Sequence, residues 1–489
     1  MALGLLILVS VGKENIYLSA QPEITFFKIA YRRYTNFSIE PTPQYFKTTP
    51  DFGRRCTVNI GKNADLLGIT YLYVELPNIQ MSNFSNSNIT KKFAWVNKIG
   101  LALINFIEIE IGGMIVDRHY GDWLNIWYEM TINMGLKKSY NKMIGNIDEL
   151  TNFSQTKDTT ILYIPFSFWF CNDTGLALPL VALLHNDVKI HVEFNDINLC
   201  YKISPSYYIS VTNNYCIYKP GELIYQNYQN NKNIGEYINF DSITQQLYYN
   251  PVKGSFIIPT INNDPNLAII GETSNFITYI NTNSVVVQDN TFFNFNTPSL
   301  TTAYLLVNYI YLDNFERNKF LNNSHEYLIQ TVQNLPQQYI GSLNASYKLD
   351  LINPVKLIVW RALLSSNQIN NDQFNYTHNN ENLINKNLVV INSVNRMDLN
   401  SNEYYTLIQK YQYNFINQQK GIFFYSFSLN PLDLQPSGSI NFSKIDDAYL
   451  QFSMNRIVNY QNQINVVCYA IQYNLLRTYN GIGGLGFNN

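Results

Sequence analysis

Strand signals dominate the hydrophobic pattern, which follows a period of two more often than the 3.6-residue period of a helix. Tyr71 to Leu76 places Leu72, Val74 and Leu76 on one face and Tyr71, Tyr73 and Glu75 on the other, as a half-buried strand requires. Ile107, Ile109 and Ile111 alternate with Glu108 and Glu110, and Gly112-Gly113 supplies a turn into Met114 to Asp117, which predicts a hairpin. Ile422 to Leu429 reads as an aromatic and apolar strand, Asn430 to Gly438 as a turn cluster holding Pro431, Pro436 and Gly438, and Ala448 to Phe452 as a resumed strand. Helical interruptions are short. Asp122 is expected to cap a helix in which Trp123, Ile126, Trp127 and Met130 fall at helical spacing, and Asp313 with Glu316 reads as a capping box. The pattern predicts an all-β chain, sandwich or jelly roll, with short helices laid over it; it does not choose between the two architectures.

At 489 residues the chain is longer than one hydrophobic core usually serves, so two domains are expected. Charged residues make up 14%, where an average soluble protein has roughly a quarter, while 38 Tyr and 29 Phe raise the aromatic share to 15%. Two readings fit this composition. Faces buried against neighbouring subunits favour Tyr and Phe over Lys and Glu, and AT-rich codons favour Asn, Ile, Tyr, Phe and Lys without any selection for contacts. A net charge of −2 argues against wholesale binding of nucleic acid, which needs concentrated Lys and Arg; Arg32-Arg33 and Arg54-Arg55 are isolated pairs. Cys56, Cys171, Cys200, Cys216 and Cys468 show neither a CxxC pair nor metal-finger spacing and read as free thiols of a reducing compartment. Ala2 to Val11 is apolar but lacks a preceding basic segment and a clear cleavage site, so an unprocessed N-terminus is expected. No later segment supplies the roughly 20 continuous apolar residues of a membrane span, so the chain is expected to be soluble.

Motifs that could carry chemistry are weak. Gly481 to Gly486 spells GIGGLG, but a phosphate-cradling loop needs a following helix, and only Phe487, Asn488 and Asn489 remain; a terminal strand and turn is the expectation. Gly61-Lys62 lacks the rest of a P-loop. His191 and Glu193 would share a strand face, but His185 lies before that strand, so a metal site is not expected. Asp446 and Asp447 are adjacent and should point to opposite faces, unlike the paired carboxyls of a glycosidase. No Ser, His and Asp arrangement has a nucleophile-elbow context. Asn36, Asn83, Asn88, Asn152, Asn172, Asn322, Asn344, Asn375 and Asn441 begin glycosylation sequons, which an Asn-rich chain also produces by chance. No residue is assigned a catalytic, cofactor or metal role.

Longer wording says more. LQPSGSINFSKID (Leu434 to Asp446) resembles the second jelly roll of the major capsid proteins of nucleocytoplasmic large DNA viruses. The resemblance runs in family order from ENIYLSAQPEITFFKIAYRRYTNFSIE (Glu14 to Glu40) through ADLLGITYLYVELP (Ala64 to Pro77) and INFIEIEIGGMIVDRHYGDWLNIWYEM (Ile104 to Met130) to IPFSFWFCNDTGLALPLVALLHNDVKIHVEF (Ile164 to Phe194). VNYIYLDNFERNKFLNNSHEYLIQ (Val307 to Gln330) looks like the link between rolls, and LDLINPVKLIVW (Leu349 to Trp360) and YNLLRTYNGIGGLGFNN (Tyr473 to Asn489) resemble the second roll. Tyr201 to Leu300 carries no family wording; its strand-like runs include Phe256 to Pro259 and Ser284 to Val287, and it reads as an insertion before the last strand of the first roll.

The resemblance implies two consecutive eight-stranded jelly rolls: an N-terminal arm at 1–21, a first roll at 22–325 with an insertion at about 201–300, and a second roll at 326–489. It implies a structural capsid protein, not an enzyme, that forms homotrimeric, pseudo-hexagonal capsomers. These would tile an icosahedral shell assembled in the host cytoplasm over an internal membrane. Implied partners are neighbouring capsomers, minor capsid proteins and, through them, the membrane, with no cofactor and no direct nucleic acid. A carbohydrate-binding, lectin-like β-sandwich and a β-sandwich hydrolase are the alternatives.

Overall fold

The computed structural model describes residues 12–13, 19–81, 91–228, 231–261, 263–288, 297–378, 380–396, 402–415, 419–460 and 462–487. Met1–Phe37 and Ser38–Asn489 are separate units. In the first, the described residues hold no strand before Phe37, and Ile24, Phe26, Phe27, Ile29, Tyr31 and Tyr34 are exposed. Leu3, Leu5, Leu6, Ile7 and Leu8, the apolar part of the expected arm, lie outside the described residues.

The second unit repeats one plan. Its first set of principal strands is β1 (Phe37–Gln44), β2 (Arg55–Asn59), β3 (Leu66–Leu76), β4 (Ile104–Ile111), β5 (Met114–Tyr120), β6 (Thr160–Pro165), β7 (Val188–Phe194) and β8 (Thr302–Leu312). They form two sheets in the orders β1-β8-β3-β6 and β2-β7-β4-β5. The second set is β9 (His325–Asn334), β10 (Asn344–Lys348), β11 (Pro354–Leu364), β12 (Ile384–Ile391), β13 (Val394–Asn395), β14 (Ile422–Ser426), β15 (Ala448–Met454) and β16 (Ile464–Tyr479). Their orders, β9-β16-β11-β14 and β10-β15-β12-β13, match the first set strand for strand. Two antiparallel sheets with these crossovers are a jelly roll, so the chain is a double jelly roll.

The alternation read from the sequence sets the faces. Leu72, Val74 and Leu76 of β3 are wholly buried while Tyr71, Tyr73 and Glu75 are half-buried on the other side. The hairpin at Gly112-Gly113 joins β4 to β5, and Gly112 and Gly113 both take positive φ, at 59° and 89°. Glu108 departs from the simple pattern, for it is fully buried with Arg55 and Arg118 on its carboxylate. The second roll has its own core around Trp360, Leu364, Phe423, Leu450 and Val466.

Helix α1 (Gly121–Thr131) buries Trp123, Ile126 and Met130 at the expected spacing, but Asp122 is not its cap. Tyr120 holds the cap position without a side-chain bond, and the Asp122 carboxylate, inside the first turn, is taken by residues of the second roll. Helix α2 (Asn314–Asn322) begins on one half of the expected capping box, the Asp313 carboxylate accepting from the Glu316 amide at 2.8 Å.

Between β7 and β8 lies a seven-stranded sheet whose longest strands are Leu223–Tyr228, Asn231–Asp241 and Gln246–Lys253, with a separate core around Ile209, Ile224, Tyr237 and Leu247. Phe256 to Pro259, expected as strand, is irregular. Gly254 at φ +65° turns the chain out of the sheet, and Phe256 packs on Tyr249 (ring centroids 4.7 Å), covering a face instead of extending it. Of Ser284 to Val287 only Val287 enters a strand.

Candidate assembly surfaces

The most consequential polar site is where the rolls meet. Helix α1 lies in the β5–β6 connection and lays Trp123 on Tyr469 of β16, ring centroids 5.3 Å apart. One residue earlier, Asp122 accepts from Arg361 Nε of β11 at 2.6 Å, from the Tyr469 hydroxyl at 3.3 Å and from the Tyr376 hydroxyl through a short bond. Burial opposes the Arg361 charge, but Asp122, with smaller contributions from Tyr376 and Tyr469, offsets it and the guanidinium pKa stays above its ordinary value. Burial, and after it the Asp122 charge, raises both phenols well above 10, which keeps them as donors. Asn125, one turn along α1, donates to Tyr376 at 3.1 Å and accepts from Lys98 Nζ at 2.6 Å, while Glu129 takes the same ammonium at 2.6 Å. A 420 Å³ cavity borders Asp122, Arg361 and Tyr469. Sequence reasoning missed this cluster; its signal was a single Asp facing an Arg far along the chain.

Apolar packing extends the junction. Strands β11 and β14 are buried almost throughout, and β16 along most of its length. One face carries Ile358, Trp360, Val466 and Cys468 into the second roll's core, and the opposite face carries Val359, Phe424, Tyr469 and Ile471 into the core shared with the first roll. Burial on both faces removes the alternation expected of a half-exposed antiparallel sheet. The stretch entering the insertion is also tied to the second roll: Asn371 Nδ2 donates to the Asn198 and Tyr201 carbonyls at 2.6 and 2.8 Å, and Tyr207 OH donates to Asn370 Oδ1 at 3.0 Å.

The motifs weighed for chemistry have structural partners. GIGGLG forms a strand, β17 (Ile482–Leu485), antiparallel to the end of β16. The His185 amide donates to the Gly481 carbonyl at 2.9 Å, and a Cβ at Gly483 would stand 2.5 Å from Leu183 Cδ2. His191 is held by Thr57 Oγ1 at 2.7 Å and Glu110 Oε2 at 3.0 Å, and Glu193 accepts from Asn105 at 2.7 Å. The Asp446 and Asp447 amides both donate to Asn392 Oδ1, at 3.1 and 3.3 Å, which closes the β12–β13 end of the second roll. Asn36, Asn152, Asn172, Asn322, Asn344 and Asn441 are exposed and Asn375 is half-buried; Asn83 and Asn88 lie outside the described residues.

Two surfaces are notable for their exposure among the described residues. On the outer face of β8-β3-β6, Tyr304, Tyr73 and Tyr163 stand in one cross-strand row, with ring centroids 4.3 and 5.3 Å apart, and Tyr45 adds to it at 5.6 Å from Tyr304. In the β13–β14 connection a π-helical turn (Tyr404–Ile408) runs into α3 (Gln409–Gln412); Tyr405 and Gln409 point into the roll, while Leu407, Ile408 and Tyr411 are 60%, 51% and 88% exposed.

Two jelly rolls of the same strand order, packed side by side in one chain and carrying aromatic outer surfaces, define the double jelly-roll class of capsid subunits. The sequence comparisons agree. The family description "Major capsid protein N-terminus" matches residues 25–241, and "Large eukaryotic DNA virus major capsid protein" matches residues 316–484. The chain is 35% identical to a probable capsid protein 4 of Acanthamoeba polyphaga mimivirus, covering 100% of this chain and 99% of that protein. It is 30% identical to the major capsid protein of Pyramimonas orientalis virus, covering 99% of each. Among solved structures it resembles PBCV-1 VP54 (TM-score 0.63, 21% identity, 95% of this chain and 100% of that one) and the Faustovirus major capsid protein (TM-score 0.67, 11% identity, 94% and 93%). The chain belongs to the major capsid protein family of large eukaryotic DNA viruses, and it is a structural component of the virion capsid.

Proposed function

We propose that three copies close into a homotrimeric, pseudo-hexagonal capsomer and that these capsomers tile an icosahedral shell. The observation that carries this reading is the internal repeat: two rolls of identical strand order stand side by side in each chain, so a threefold ring presents six similar units. The chain's work is then burial of complementary faces, with no step of catalysis. We assign Met1 to Gln21 to an arm, residues 22–325 to the first roll with its insertion, and 326–489 to the second. The arm meets a neighbouring subunit or a minor capsid protein beneath the shell. Assembly takes place in the host cytoplasm, and a net charge of −2 leaves the genome to other proteins.

Size-exclusion chromatography with light scattering tests the reading. The purified chain is expected to elute with the mass of three copies. A monomer that binds glycans on an array would favour the lectin-like alternative and overturn the capsomer.

A further inference from the structure

Within one chain the outer face of the second roll's sheet is covered at β16 and β11 by α1, a helix from the β5–β6 connection of the first roll, while Phe424 of β14 packs on Phe415 at 4.4 Å. Among the described residues the equivalent sheet of the first roll, β8-β3-β6, has no such cover: Ile161 and Tyr163 are 46% and 39% exposed. The equivalent connection of the second roll, β13–β14, carries Leu407, Ile408 and Tyr411 outward. Each copy therefore has one finished roll-to-roll contact and the two unmatched halves of another.

We infer that the Tyr304–Tyr73–Tyr163 face of one copy takes the Leu407–Tyr411 turn of a second copy, repeating between chains the contact that α1 makes within one. The occupant follows from the internal contact. In the second roll the row Tyr469–Val359–Phe424 runs across β16, β11 and β14 in the same order as Tyr304–Tyr73–Tyr163 across β8, β3 and β6, and Trp123 lies on Tyr469. Leu407, Ile408 and Tyr411 are adjacent on a helical surface and supply the matching apolar stripe. Charge follows the same plan with its sign reversed. Arg361, two residues beyond Val359 on β11, meets Asp122 of α1; Glu75 stands two residues beyond Tyr73 on β3, and Lys410 sits on α3. The two halves are different patches, so the contact is head to tail and needs a closed ring to satisfy every copy.

The inference rests on the trimer reading, and one experiment separates their failures. Full-length wild type, Leu407→Asp, Tyr163→Asp and, as a control on the insertion, Ile243→Asp (86% exposed) are compared by light scattering, with circular dichroism melts as the folding check. Wild type and Ile243→Asp are expected at the mass of three chains; Leu407→Asp and Tyr163→Asp are expected to fall to one chain with native melts. A wild type that is not a trimer sinks the capsomer itself. A trimeric wild type with trimeric, natively melting Leu407→Asp and Tyr163→Asp overturns only the interface. Should those variants fail to fold, Glu75→Lys is expected to weaken the trimer about tenfold or more, since facing like charges are costly. Adding Lys410→Glu is expected to restore it, and no restoration would overturn the pairing.

Discussion

Removing one carboxylate should loosen the two rolls from each other. Asp122→Ala leaves Arg361, whose side chain is 8% exposed, with the Asn465 carbonyl at 2.9 Å as its hydrogen-bond acceptor among the described residues and the Tyr376 ring beside it, and it strips the acceptor from Tyr376 and Tyr469. A buried cation deprived of its partner costs about 3–5 kcal/mol, and an orphaned buried hydroxyl about 1–3 kcal/mol. These do not add in full: Tyr469 reaches Asp122 only at 3.3 Å, and the adjoining 420 Å³ cavity gives water a way in. The expected loss is about 4 kcal/mol. The assay is urea unfolding of Asp122→Ala, Arg361→Met and the double variant, followed by tryptophan fluorescence, to which Trp123 at the junction contributes. The double variant, with no orphaned charge, is expected to be more stable than either single one, a coupling of 2 kcal/mol or more on the order expected for contacting groups. A loss under about 1 kcal/mol for Asp122→Ala, or simple additivity in the double variant, would show that the ion pair does not hold the rolls together.

Lys356 is buried in β11, donates to Gln330 Oε1 at 2.7 Å, and has its pKa lowered to about 8, chiefly by burial with Asp433 opposing. The unfolded chain binds that proton more tightly, so stability should climb between pH 8 and 10.5 by about 3 kcal/mol; Lys356→Met should flatten that rise in denaturant midpoints, and an unchanged slope would contradict the assignment. Gly483→Val should push against Leu183 and cost about 1–3 kcal/mol, read as faster hydrogen exchange along β17; exchange equal to wild type would refute the tight approach. Limited proteolysis of intact virions should cut between residues 201 and 300 before the rolls, because the β7–β8 connection leaves the first roll at the end expected to face outward; early cuts at the opposite end with this stretch protected would reverse the orientation. Deleting residues 1–21 should leave both rolls folded and reduce particle yield, and normal particles from the truncated chain would exclude an assembly role for the arm.

Local pattern determined a good part of this protein. The faces of β3, the β4–β5 hairpin, the spacing of α1 and the Asp313 cap all follow from residues close in sequence, because a strand or helix turns its periodicity directly into an apolar side. Family wording carried the rest of the architecture, including the repeat of one roll by another. Tertiary structure alone decided what covers each apolar side. Asp122 had the sequence of a cap and serves instead as an acceptor for Arg361, 239 residues away, since a carboxylate goes to the strongest donor that folding brings to it. Phe256 had the sequence of a strand and became a lid. The outer faces of β3 and β11 show the limit most clearly: each lies in a cross-strand row of large side chains, but α1 covers that of β11 while that of β3 is uncovered among the described residues, because periodicity records that a face is apolar and is silent about which surface, of the same chain or the next, will be packed against it.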